Sequence, residues 1–169
     1  MAVLQFGGGV NRFIAAAVGG LTVDTAPLAN LSGTGWRELV VEPSPYAMRT
    51  LGRGGTSRRT QQGEASVSWW AGGGTVAALR LAVPPASTAA VRLPLLLDGH
   101  GPGAAESASD RRVVAGGCSL SCSGLLGDAA SEGDCEAYSA ARCERRHDGE
   151  VVLALQVASG VHAFDVHRS

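Results

Sequence analysis

Cys118, Cys122, Cys135 and Cys143, with His147 four residues beyond the last, form the densest group of soft ligands in the chain, spaced C-x3-C-x12-C-x7-C. Thiolates and imidazole are the donors that a tetrahedral zinc prefers. Neither close pair, however, has the C-x2-C spacing of a zinc knuckle. An even number of cysteines in a Gly-rich stretch equally suits two disulfides in an oxidising environment, and four cysteines allow three pairings that spacing does not choose between. Left unlinked, the same thiols pack as small hydrophobes, the default state of the residue.

Other residue types give weaker signals. Asp98 and His100 flank Gly99, and a carboxylate beside an imidazole is the minimum of a general base, but Asp-Gly is also ordinary turn chemistry. The chain has no G-x-S-x-G elbow, HExxH or paired-carboxylate motif to mark a nucleophile or metal. His162 and His167 fall on opposite faces of any strand that contains both, so they cannot chelate together. Arg53, Arg58 and Arg59 lie in GRGGTSRRTQQG, whose glycines let backbone N–H groups approach an anion; on a near-neutral chain these arginines read as a solvated or protein-contact arm. The triple glycines at 7–9 and 72–74 lack dinucleotide or Walker spacing and imply no nucleotide. The adjacent Trp69 and Trp70 must point to opposite faces of a strand, one into the core and one outward, where tryptophan serves as an interface anchor. Trp69, Trp70, Arg53, Arg58 and Arg59 are therefore the interface candidates.

The elements that carry these residues read as strands. Trp36 to Glu42 is a strand stopped by Pro43 and Pro45. From Glu64, Ala65, Val67 and Trp69 alternate with Ser66, Ser68 and Trp70, the period of a half-buried strand. Runs at 75–83 and 90–97 end at Pro84-Pro85 and Asp98-Gly99, with Pro94 pointing to a sheet edge or a strand beginning. Short strands follow at 113–115 and 119–121; 151–158 is apolar enough for burial on both faces, and a turn at 159–160 leads into 161–166. Segments 52–63 and 99–110 read as exposed loops, and Asp134 to Arg146 is the one helical candidate, with basic residues in its last turn. The expected fold is mostly β: a single-domain antiparallel sandwich or barrel, jelly-roll-like, over residues 1–169, with at most one short helix near 134–146.

Composition bounds the function. The 169 residues carry 14 basic and 15 acidic side chains, so no cationic surplus supports general nucleic-acid binding. Every basic residue is arginine; without lysine, Schiff-base chemistry, a P-loop lysine and a lysine base are excluded. The longest early apolar run, Phe13 to Leu21 behind a single Arg12, is far short of the roughly 20 residues of a membrane span, and it makes a weak secretion signal because Met1 to Val10 carries no positive charge and is interrupted by Gly7, Gly8 and Gly9. Aromatics at 5% are sparse for a stacking surface. A mostly-β chain with these absences reads as a non-enzymatic structural subunit without a cofactor, found in a virus particle as a capsid, decoration or tail-associated protein and bound to copies of itself and other subunits. The alternatives are a disulfide-stapled extracellular binding module and a zinc-binding domain.

Overall fold

The computed structural model describes residues 15–23, 37–72, 75–95, 111–122, 127–138, 140–146 and 150–168. Thirteen strands lie within them: β1 (Leu21–Val23), β2 (Glu38–Val41), β3 (Arg53–Thr60), β4 (Gly63–Gly72), β5 (Thr75–Val83), β6 (Thr88–Pro94), β7 (Arg111–Ala115), β8 (Cys118–Ser121), β9 (Gly127–Asp128), β10 (Ala130–Gly133), β11 (Arg142–Arg145), β12 (Val151–Val157) and β13 (Gly160–Arg168). They form two open sheets, one ordered β1-β2-β6-β12-β11-β9 and the other β10-β8-β7-β13-β5-β4-β3. This is a β-sandwich without barrel closure. Pairing is antiparallel except between β2 and β6, which run parallel.

Alternation builds the core. In β4, Ala65, Val67 and Trp69 are buried while Ser68 and Trp70 are exposed; β13 buries Phe164 and Val166, and β12 buries five of its seven side chains, with Ala154 half-buried and only Gln156 exposed. Leu39, Val41, Leu93 and Leu153 of one sheet join Leu79, Leu81, Trp69 and Phe164 of the other in a single apolar cluster. Such packing is the main favourable contribution to folding.

Four expectations from the sequence are corrected. The α-helix is α1 (Pro45–Leu51), not 134–146. Ser44 caps it by accepting from the Ala47 N–H, Pro45 occupies its first turn, where a missing N–H costs nothing, and Gly52 closes it in the left-handed conformation at φ 68°. Residues 134–146 instead hold a 3-10 turn (Glu136–Tyr138) and β11, because Cys135 and Cys143 are drawn to partners in different parts of the sandwich. Segment 52–63 is no loop: β3 pairs with β4 from Arg53↔Trp70 to Thr60↔Gly63 as the edge of its sheet. It needs no apolar side chain, because Gly54 lets the Trp69 ring close onto its backbone; a Cβ there would stand 2.4 Å from Trp69 Cζ2. Finally, β6 is an interior strand, yet β2 reaches only as far as Val91, so Pro94 has a neighbour on the β12 side alone. The segment 99–110 lies outside the described residues.

Candidate functional site

Two constellations take shape among the described residues. The first is the cysteine cluster. Cys118 opens β8 and is joined to Cys135, just beyond β10; Cys122, just after β8, is joined to Cys143 in β11. The second bond therefore ties one sheet to the other. Joined sulfurs are not thiolates and cannot serve as zinc donors, and among the described residues no group of three or more His, Cys, Asp or Glu could hold a metal. His147, like Asp98 and His100, lies outside the described residues.

The second constellation lies on the outer face of the β3–β4–β5–β13 sheet. Trp70 projects there at 42% exposure, opposite Arg53 on β3, while Trp69 points into the core and donates its indole N–H to the Val18 carbonyl at 3.1 Å. Arg80 lays its guanidinium 5.2 Å from the centre of the Trp70 ring and reaches Asp165 Oδ1 on β13 at 2.8 Å. A cation against an aromatic face and a carboxylate is a mutually satisfied arrangement, worth about 0.5–1 kcal/mol for the ring contact at an exposed site. Arg53 and Arg59 share this outer face, whereas Arg58 belongs to the alternate set of β3 side chains and is half-buried. The structure thus separates the three arginines of the expected arm.

His162 sits on the inner side of β13 within an aromatic group, 6.5 Å from Tyr138 and 6.4 Å from Phe164, and its Nε2 lies 2.9 Å from the Ala158 carbonyl. His167 is exposed on the other face. Tyr138 is buried, and desolvation raises its hydroxyl above the ordinary tyrosine value. At the other sheet, Glu42 accepts from Arg92 Nη1 at 3.1 Å and from Arg146, and Arg146 Nη1 meets Glu150 Oε2 at 3.3 Å. Glu42 is joined in this network to residues 50 and more positions away, so no local motif revealed it. Its carboxylates are engaged by guanidinium groups, an arrangement suited to holding chain segments together.

Comparison with known proteins gives the architecture a context. A family model described as the bacterial alpha-L-rhamnosidase C-terminal domain matches residues 28–106. No curated protein matches the chain. Among solved structures, the alpha-L-rhamnosidase from Dictyoglumus thermophilum superposes over 95% of this chain with a TM-score of 0.54 and 15% identity. The Streptomyces avermitilis alpha-L-rhamnosidase complexed with L-rhamnose superposes over 95% with a TM-score of 0.51 and 20% identity.

The chain resembles a rhamnosidase C-terminal domain. It spans only 14% and 11% of the two solved chains. These matches overturn the expectation of a virus-particle subunit, whether capsid, decoration or tail-associated, and with it the virion location. Small-residue loops, absent lysine and a β-rich pattern are shared by capsid proteins and by sandwich domains attached to enzymes, so composition had no power to separate them.

Proposed function

We propose that this chain is an accessory β-sandwich domain serving a glycosidase of the alpha-L-rhamnosidase type, without catalysing hydrolysis itself. The observation that carries the reading is the match of residues 28–106, which span β2 to β6 with α1, to the C-terminal domain of bacterial alpha-L-rhamnosidases. The site geometry agrees with it. Glycoside hydrolysis commonly uses two carboxyl groups facing the scissile bond about 5–10 Å apart, whereas Glu42, Glu150 and Asp165 are each bound to arginine in ion pairs. The role that remains is scaffolding: a rigid two-sheet body that supports a catalytic module.

The purified chain, incubated with 4-nitrophenyl alpha-L-rhamnoside and with a panel of other 4-nitrophenyl glycosides, is expected to release no nitrophenol. Hydrolysis that copurifies with the chain through every step and disappears when a single carboxylate is replaced by its amide would overturn the accessory reading.

A further inference from the structure

Strands β9 to β11 owe little to apolar burial, whereas β8 is anchored in the core by Leu120. Both residues of β9 and all four of β10 are exposed, and the one buried side chain of β11 is Cys143 itself. What holds them is covalent, and the two bonds differ in access. Cys122 and Cys143 are both buried, each 3% exposed, whereas Cys118 is fully buried but its partner Cys135 is only half-buried. None of the cysteines lies in the 28–106 stretch that resembles the rhamnosidase domain.

We infer that Cys118–Cys135 is a redox-labile latch on the edge strand β10, while Cys122–Cys143 is a structural bond between the sheets. Exchange proceeds by in-line attack on the accessible sulfur. A dithiol reductant adds one thiolate to Cys135 Sγ and expels Cys118 as a thiolate, which takes up a proton. The second thiol of the reductant then attacks the mixed disulfide, releasing Cys135 as a thiol and leaving the reductant as its cyclic disulfide. Two electrons and two protons pass to the protein.

With the latch open, β10 retains its four-residue ladder to β8 and one surface ion pair, Arg112 Nη1 to Glu132 Oε2 at 3.4 Å, which contributes little. β10 then leaves, and β8 becomes the open edge of its sheet, with unpaired backbone groups able to accept another strand. Tyr138 stays packed against Phe164 at 6.0 Å, and β11 stays tied through Cys143, so the sandwich itself persists.

The oxidised protein is titrated with dithiothreitol under native conditions, trapped with iodoacetamide and mapped by peptide mass spectrometry and amide hydrogen exchange. The expected first product carries two carbamidomethyl groups, at Cys118 and Cys135, formed at least about tenfold faster than labelling at Cys122 and Cys143. Its amides at 130–133 lose protection while those of β5, β12 and β13 keep theirs. The Cys118→Ala, Cys135→Ala double variant, which keeps the other bond, is expected to show the same pattern without reductant. Opening of Cys122–Cys143 first or at an equal rate, protection retained at 130–133 after labelling, or loss of protection throughout the double variant would each overturn the inference.

Discussion

Trp69 and Trp70 show how much one step along a strand decides. Trp69 is 1% exposed and fixed by the Val18 carbonyl, whereas Trp70 is 42% exposed with the Arg80 guanidinium over its ring. Trp69→Ala is expected to cost about 3–5 kcal/mol, the range for removing a large aromatic from a packed core. Trp70→Ala is expected to cost no more than about 1 kcal/mol, the worth of an exposed cation–ring contact. Urea denaturation of the two variants checks both figures, and equal losses would contradict the assignment of faces. The period of two in the sequence reveals that the rings part; Val18, 51 positions away, is invisible to it. Tyr138 gives a second residue-level test. Burial raises its hydroxyl above the ordinary value, so the folded state holds the proton to higher pH than the unfolded chain. The associated stability is complete at neutral pH and falls as pH rises from about 10, where the unfolded tyrosine ionises. Thermal melts across alkaline pH should show that decline, and Tyr138→Phe should flatten it.

At the scale of elements, strands were legible where side chains alternate and hidden where glycine and serine do the packing. The β4 pattern is plain from residue types, whereas β3 has nothing apolar and is a strand because β4 supplies a ladder of eight residue pairs and a ring that requires glycine beside it. Gly54→Ala is therefore expected to destabilise the protein by about 1–3 kcal/mol through overpacking against Trp69, measured as a shift in the urea midpoint; a neutral result would place the ring elsewhere. The helix escaped notice because Pro43 and Pro45 read as stops, although proline in the first turn after a serine cap is equally a start. The 134–146 segment misled in the opposite direction. Cys135, Tyr138 and Arg142 have helical spacing, but bonds to Cys118 and Cys122 pull the segment into a turn and a strand. Sequence spacing left the pairing open, because the choice depends on which strands meet. The two closed loops, with separations of 17 and 21 residues, are each worth about 2–4 kcal/mol. Complete reduction should accordingly lower the melting temperature while the sandwich signal in far-ultraviolet circular dichroism survives at low temperature.

For the molecule as a whole, the fold class followed from short runs bounded by glycine and proline, and the two-sheet body agrees with it. Function did not follow, because the sequence holds no nucleophile elbow, metal motif or phosphate loop for a linear pattern to reveal, and a fold alone does not carry an activity. The proposed accessory role rests on likeness to the rhamnosidase C-terminal domain over residues 28–106, and the superposition on about a tenth of two much longer chains supports the fold. The proposed role places the chain beside a catalytic glycosidase module. It is tested most directly by gel filtration of a native extract, following the chain with an antibody and each fraction with 4-nitrophenyl alpha-L-rhamnoside. The antibody signal and the hydrolysis are expected to elute together, at a size well above the 17.1 kDa of the chain. A signal at the monomer size, with all hydrolytic fractions free of it, would contradict the account.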